Sequence, residues 1–401
     1  MTDHDAAERR LLNWLRTPCA VRERCHAILH MAEQDGLTHF ALDAARLDDV
    51  ADYVAAVIQQ NYPDLQIPYH SRWRHFEAGG VDRWAGLVRR LREYDASEIA
   101  RVQIDLCTVS VLLDAGAGAA WRYHEPETGL VLQRSEGLAV ASLHAFGSGL
   151  FSSDRQEPLR ADAAALRQIS DAEIAAAFQH APDNLLPGLA GRGALLRNLG
   201  EVLQHGRIGD LFDCWHAQGS RGALTAADVF GKILDVLAPI WPGRLTLAGE
   251  NLGDVWRHPQ LPADGLVPFH KLSQWLSYSL IEGLEQASIP VTRLDDLTGL
   301  AEYRNGGLFV DLGVLRLRDP SVAGQPLPVD HPAIIEWRAL TVALLDALAP
   351  KLRSRLGVSA VDMPLAKLLQ GGTWDAGRRI ARERRPDGSP PLVLVSDGTV
   401  F

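Results

Sequence analysis

One 22-residue stretch holds most of the side chains that could do chemistry. Leu294 to Leu315 reads LDDLTGLAEYRNGGLFVDLGVL. Between its apolar residues lie Glu302, Arg304, Asn305, Asp311 and the pair Gly306-Gly307. We expect the helical pattern to break at the two glycines, so that several polar side chains converge there. Small and apolar neighbours surround Glu302, which predicts a buried carboxylate that meets a small ligand. The alternative is an ion pair between Glu302 and Arg304 near a helix end, because structural ion pairs also perturb charged groups.

A second polar pair lies in the apolar segment Val267 to Leu280, VPFHKLSQWLSYSL. Lys271 and Gln274 are three residues apart, so they share one face of the predicted helix. A lysine in so apolar a helix either extends its ammonium to solvent or reaches an internal acid. The spacing alone leaves both alternatives open.

Two weaker candidates are places where an anion could bind. Glu136 lies in the segment Arg134-Ser135-Glu136-Gly137 at a predicted helix start, where free N–H groups attract anions. Ser135 is equally explained as the cap of that helix. Arg192 lies in the segment Leu185 to Leu203, whose LPGLAGR opening resembles a helix-hairpin-helix element. A glycine-rich turn between two helices is the alternative.

No pattern predicts a metal or a nucleotide cofactor. His26 and His30 are one helical turn apart and Cys25 is adjacent, but the chain has no HExxH and no obvious third ligand. The phosphate-binding patterns GxGxxG and GxxxxGK[ST] are also missing from the sequence. We therefore expect neither a metal nor a cofactor.

Composition narrows the function classes further. The chain has 401 residues and a formal net charge of −10, which argues against a nucleic-acid surface. The four cysteines form no CxxC pair, and the N-terminus MTDHDAAERR is charged. There is no run of about twenty apolar residues that would span a membrane. These features predict a cytoplasmic protein with reduced thiols and no membrane partner.

Apolar spacing predicts a mainly α fold with a few short strands. Capping patterns open several helices, at Thr17-Pro18, at Ser170 with Glu173 and at Thr225 with Asp228. The predicted helices are 6–15, 18–34, 47–60, 97–114, 135–146, 269–287, 333–356 and 365–384. A short hairpin is predicted around Glu127-Thr128-Gly129, and a last strand at 392–396. We expect one compact helical domain over residues 1–401, with two helical lobes and a site between them as the alternative.

Four long strings resemble the uracil-catabolism protein 4 family of fungi and bacteria. They are DLCTVSVLLDAGAGAAWRYHEPETG, RSEGLAVASLHAFGSGLFS, VPFHKLSQWLSYSL and LTGLAEYRNGGLFVDLGVL. The resemblance covers nearly the whole chain. It implies a place in pyrimidine breakdown, in a pathway that opens the uracil ring at the nucleotide level and passes through ribosylurea.

A more distant resemblance carries the chemistry. The motif order is similar to that of queuosine salvage proteins, which are N-ribohydrolases of a nucleoside 5′-monophosphate on a DNA-glycosylase-like helical fold. Their LTxFADYR motif follows a KRAQLL motif, as LTGLAEYR follows HKLSQWL here. The resemblance assigns the family's Lys, Gln, Asp, Tyr and Arg to Lys271, Gln274, Glu302, Tyr303 and Arg304. This chain departs from the queuosine salvage pattern at two places. It has Glu302 where that family has aspartate, and Asn305-Gly306-Gly307 where that family has an apolar residue followed by proline.

Together, the two resemblances imply a hydrolase that cleaves the N-glycosidic bond of ribosylurea, or of its 5-phosphate, and releases urea. Glu302 would stabilise positive charge on the ribose and align or deprotonate a water. Lys271 would keep Glu302 ionised or contact the ribose or phosphate of the substrate. Arg304 and Arg192 are candidates for binding a phosphate. Gln274, Asn305 and Asp311 offer the donors and acceptors that a urea-like leaving group needs. The alternatives are a hydrolase of another nucleoside 5-monophosphate and a non-catalytic binding protein.

Overall fold

The computed structural model describes residues 3–118 and 120–395, and helices dominate this part of the chain. The α-helices are α1 (Asp3–Leu15), α2 (Pro18–Glu33), α3 (Leu47–Asn61), α4 (Arg72–Phe76), α5 (Arg83–Val88), α6 (Ala96–Leu112), α7 (Arg134–Gly147), α8 (Ala163–Gln168), α9 (Asp171–Ala177), α10 (Leu189–Leu203), α11 (Leu211–Gly219), α12 (Ala226–Leu237), α13 (Lys271–Gln286), α14 (Tyr303–Asp311), α15 (Pro332–Leu356), α16 (Leu365–Leu368) and α17 (Trp374–Arg384). The predicted mainly α class is confirmed.

The strands are two or three residues long and form two-stranded pairs. They are β1 (Phe40–Leu42), β2 (Tyr123–His124), β3 (Val131–Leu132), β4 (Leu224–Thr225), β5 (Thr246–Leu247), β6 (Glu250–Asn251), β7 (Val255–Arg257), β8 (Leu266–Pro268), β9 (Val291–Thr292), β10 (Leu315–Leu317), β11 (Pro326–Pro328) and β12 (Val393–Val395). The pairs β1–β10, β2–β3, β5–β6 and β7–β8 are antiparallel, whereas β4–β9 and β11–β12 are parallel. Strand pairs of this length connect neighbouring loops by hydrogen bonds and do not form a sheet in the core.

The chain divides into two compact units, each assembled from separate segments. The described part of the first unit comprises residues 3–70, 243–274 and 293–395, and that of the second comprises 71–118, 120–242 and 275–292. The prediction of a single domain, with two lobes as the alternative, stays a prediction. In the described residues, no helix has the length and apolar character needed to cross a membrane.

Helix α15 is the centre of the first unit. Its residues are buried without interruption from Ala333 to Leu345, the pattern of a helix covered on all sides. It packs against α2, α3 and α14. Pro332 occupies the first turn and Gly357, at φ 67°, ends the helix, so local sequence fixes both termini.

The predicted helix break at Gly306-Gly307 is wrong. Helix α14 runs through both glycines to Asp311. A Cβ at Gly306 would lie 2.7 Å from side-chain atoms of Trp337 and Thr341 on α15. The glycine is needed because two helices approach closely there.

Most of the predicted helix starts are confirmed. Thr17 accepts a hydrogen bond from the Ala20 N–H, and both predicted capping boxes are formed. Ser135 does not cap α7 as predicted, because the N-cap position is Gln133. The segment predicted as one helix over 365–384 contains a π-helical stretch, Leu369–Thr373, between α16 and α17.

Candidate functional site

Glu302 occupies the N-cap position of α14 in the first unit. Its carboxylate accepts hydrogen bonds from the backbone N–H groups of Arg304 at 2.6 Å and Asn305 at 2.5 Å. The residue is buried, with 7% of its surface exposed. The Arg304 guanidinium donates to the Gly388 carbonyl at 2.8 Å and lies over the Tyr303 ring. Glu302 is therefore bound to the helix N-terminus, and the alternative of an ion pair with Arg304 is not formed.

Burial makes the Glu302 carboxyl unusual in its acidity. Loss of hydration raises its pKa to about 7, while the Asn305 N–H and the charge of Lys271 act in the opposite direction. Lys271 is itself 8% exposed. A carboxyl with a pKa near neutrality can exchange a proton under physiological conditions, which general acid–base catalysis requires.

A buried ion pair holds the backbone of Lys271. The Lys271 N–H donates to Asp254 at 3.0 Å, and Asp254 accepts two hydrogen bonds of 2.8 Å from Arg338. Burial would raise the pKa of Asp254, but Arg338 outweighs it and the pKa is lowered. The preceding His270 adopts φ 46°, an uncommon conformation for a residue with a side chain. The start of α13 is thus fixed by contacts inside the same unit.

Gln274 connects α13 to the chain that leads to Glu302. Its amide nitrogen donates to the Thr298 hydroxyl at 2.6 Å, and its oxygen accepts from the Thr298 N–H at 2.8 Å. The nitrogen also contacts the Phe269 carbonyl at 3.2 Å. These bonds use both ends of the carboxamide, so Gln274 positions the segment before Glu302.

Sequence reasoning missed His70 and Gln370. His70 is 3% exposed, and its Nδ1 lies 3.0 Å from the Gln370 Oε1. Burial, aided by the charge of Lys271, lowers the pKa of His70 to about 4 against the opposing hydrogen bond with Gln370, so its imidazole is neutral at pH 7. Gln370 lies in the π-helical segment, an irregularity that often accompanies functional sites. Two features of the sequence could have indicated these residues: the aromatic, irregular segment around His70 and the pair of glycines that follows Gln370.

Two predicted site residues are bound to other groups, and a third lies in the second unit. Asp311 accepts two hydrogen bonds from Arg385, at 2.7 and 2.6 Å. The Arg192 guanidinium, in the second unit, donates to the backbone carbonyls of Leu113, Ala115 and Gly116. Glu136 lies in the first turn of α7, also in the second unit. Glu302, Lys271, Gln274, Tyr303, Arg304 and Asn305 all lie in the first unit, where the charge of Lys271 acts on Glu302.

The sequence-based metal candidates have protein partners. His26 lies 3.1 Å from Asp346, and His30 contacts Glu33 and Gln34 on its own helix. Cys25 is buried, which raises the pKa of its thiol. All four cysteines are free thiols.

A different cluster, in the second unit, has ligand types at metal-site spacing. Side-chain ligand atoms of Glu125, Glu127 and His144 lie within 4.8 Å of one another. Both Glu125 oxygens already accept hydrogen bonds from the Arg83 guanidinium, at 2.6 and 2.5 Å. A cation there would face the arginine charge, so this cluster is better explained as an ion-pair network.

The fold and site define a mainly helical protein with a buried carboxyl group whose pKa is about 7 and is influenced by the charge of a lysine. A family model described as protein of unknown function (DUF1688) matches residues 14–401, and the chain belongs to this family.

Two relatives resemble the chain along almost its whole length. Protein urg3 of Schizosaccharomyces pombe is 41% identical over 390 residues, covering 95% of this chain and 96% of the relative. Uracil catabolism protein 4 of Lachancea kluyveri is 37% identical over 436 residues, covering 97% of this chain and 99% of the relative. The resemblance to the uracil-catabolism protein 4 family is thereby confirmed.

Proposed function

We propose that this protein acts in uracil catabolism as an N-ribosyl hydrolase, cleaving ribosylurea or its 5-phosphate to release urea. The observation that carries the proposal is the Glu302 carboxyl, buried, with a pKa of about 7 and under the influence of the Lys271 charge. A relative with 37% identity over nearly the full chain is named uracil catabolism protein 4, which supports the pathway.

The reaction needs one water and no redox chemistry. The bond between C1 of the ribose and the ureido nitrogen breaks with its electron pair going to nitrogen, which takes up a proton from solvent. Positive charge develops on the sugar, and a carboxylate stabilises it. Ionised Glu302 accepts a proton from the water that adds to C1, so the products are ribose and urea.

Lys271 and the helix N-terminus set the charge state of Glu302. A nearby cation and two N–H donors favour the carboxylate, whereas burial favours the neutral acid. The balance leaves both forms populated near neutral pH. This balance suits a residue that first accepts a proton and then returns it to solvent after each turnover.

The direct test is product formation. Purified protein is incubated with ribosylurea and with ribosylurea 5-phosphate, and urea and the free sugar are quantified. Equal amounts of both products, lost in Glu302→Gln, are expected. No turnover of either compound by the wild type would refute the proposal, and base release from nucleoside monophosphates would redirect it to another substrate.

A further inference from the structure

Asn305 has a side chain that its own fold leaves without hydrogen bonds. The residue is 0% exposed, and neither the oxygen nor the nitrogen of its carboxamide has a partner among the described residues. Its backbone N–H is bound to Glu302. A buried amide without partners is costly, and a ligand or water that bonds to it offsets that cost.

The position of Asn305 relates it to the candidate acid. Asn305 follows Glu302 by three residues, a spacing that places two side chains on the same side of a helical turn. Glu302 is the N-cap of α14 and Asn305 lies in its first turn, where the Asn305 N–H donates to the Glu302 carboxylate at 2.5 Å.

Thr373 offers a second unpartnered group next to the same turn. It is 1% exposed, and its hydroxyl has no hydrogen-bond partner within the described ranges. It ends the π-helical segment, which packs against α14. Gly377, one turn further along α17, would overlap the Arg304 backbone if it carried a Cβ. The face of α17 that includes Thr373 therefore lies against the start of α14.

We propose that Asn305 and Thr373 form a subsite that binds an amide- or urea-type group of the substrate and so determines leaving-group specificity. This inference rests on the proposed function. A carboxamide presents one donor and one acceptor side by side, which match the adjacent C=O and N–H of a ureido group. A hydroxyl can donate or accept at the remaining position. A site built this way discriminates against analogues that lack the pair, because its buried polar groups stay unpaired.

The experiment measures binding apart from turnover. Titration calorimetry uses ribosylurea and ribose as probes, in the Glu302→Gln background so that the glycosidic bond stays intact. Adding Asn305→Leu is expected to weaken ribosylurea binding roughly tenfold to a hundredfold, since two hydrogen bonds are lost. Ribose affinity is expected to stay the same. Thr373→Val is expected to cost about tenfold.

Thr108→Val is the matched control for Thr373→Val. Thr108 is likewise fully buried, and its hydroxyl also lacks a partner in the part of the chain that the structure describes, but it lies in the second unit. Its substitution is expected to leave both affinities unchanged. Without ligand, Asn305→Leu is expected to melt no lower than its parent, since an apolar group replaces an unpaired amide. Should Asn305→Leu fail to fold, Asn305→Asp and Thr373→Val carry the test.

The outcomes separate this inference from the proposed function. Ribosylurea that binds as tightly to the Asn305→Leu and Asn305→Asp variants as to the parent, or does not bind the parent at all, overturns the subsite. Hydrolysis of ribosylurea at an unchanged rate by Asn305→Leu, with Glu302 intact, overturns the subsite alone. Asn305-dependent binding without any hydrolysis by the wild type overturns the enzyme and supports the subsite.

Discussion

Two buried glutamates, one in each unit, have opposite surroundings. Glu302 is 7% exposed and Glu125 is 2% exposed. Glu125 accepts hydrogen bonds from the Arg83 guanidinium, from Thr128 at 2.5 Å and from His144 at 2.7 Å. Glu302 accepts two backbone N–H groups. Both carboxyl groups are thus buried, but their hydrogen-bond partners differ.

The partners decide the protonation state. Burial acts to raise the pKa of Glu125, but the hydrogen bonds from Arg83, Thr128 and His144 outweigh it and lower the pKa to about 2. For Glu302, burial prevails and raises the pKa to about 7. A carboxylate held by an arginine stays ionised and supports the structure. A carboxyl with a pKa near 7 can take part in proton transfer at neutral pH, which is why the proposed function is assigned to Glu302.

The largest expected effect is on stability, at Glu125. Glu125→Gln leaves the buried Arg83 charge without its partner and is expected to lower the free energy of unfolding by about 3–5 kcal/mol. Chemical denaturation at pH 7 measures the loss. Since the folded-state pKa of Glu125 is depressed, its stabilisation is present above pH 4.5 and disappears as the pH falls toward 2.

Glu127→Gln is the matched control for that loss. Its side chain is 69% exposed, although it also contacts His144. We expect a change within about 0.5 kcal/mol, as for most surface substitutions. Equal stabilities for the two variants would show that the ion pair between Glu125 and Arg83 is not structural.

Glu302→Gln should have the opposite effect to Glu125→Gln: the activity is lost and the protein still folds. The rate of urea release is expected to fall on the order of 10²–10³-fold, as for other preorganised groups that stabilise charge. Because the folded-state pKa is raised, wild-type stability falls as the pH rises from 4.5 through about 7, and the glutamine variant lacks this fall. Thermal unfolding at pH 8 is therefore expected at an equal or higher temperature than for the wild type. A variant that is both active and less stable would assign Glu302 to structure.

The sequence was sufficient for features that depend on local pattern. Capping boxes at Ser170 and Thr225 formed as predicted, because each uses side chains within one helical turn. The burial of Glu302 was predictable from its small and apolar neighbours. Lys271, more than thirty residues away, was paired with it through the resemblance between motifs.

The remaining features depend on packing between distant segments. The sequence pattern predicts a helix break at Gly306, whereas in the structure this glycine lies where α14 approaches α15 closely. The contact between His70 and Gln370 joins residues 300 positions apart and depends on a π-helical segment. The sequence predicts substrate-binding roles for Arg192 and Asp311. In the structure Arg192 donates to backbone carbonyls and Asp311 pairs with Arg385, and neither partner is visible in the sequence pattern. Such uses of polar groups become visible only in three dimensions.

A glycine in each unit gives a smaller test of the same distinction between local pattern and packing. Gly306→Ala should force Trp337 or Thr341 to move and cost about 1–3 kcal/mol of unfolding free energy. Gly231, inside α12 of the second unit, has no heavy atom within 4 Å of an added Cβ. Gly231→Ala should stabilise by about 0.5–1 kcal/mol, because alanine favours the helix. Denaturant unfolding of both variants compares them; a stabilised Gly306→Ala variant would contradict the close packing of α14 on α15.

The finest test concerns the charge that moderates Glu302. Lys271 lowers the pKa of Glu302, so Lys271→Met is expected to raise it above its value of about 7. If ionised Glu302 is the active form, the acidic limb of the profile of kcat/KM against pH moves to higher pH, whatever the effect on the maximum rate. Lys232→Met, on α12, is the control and should leave the limb in place. If the acidic limb does not move in Lys271→Met, Lys271 does not influence the pKa of Glu302. The pKa difference between the two glutamates would then depend only on burial and on the hydrogen-bond donors of each carboxyl.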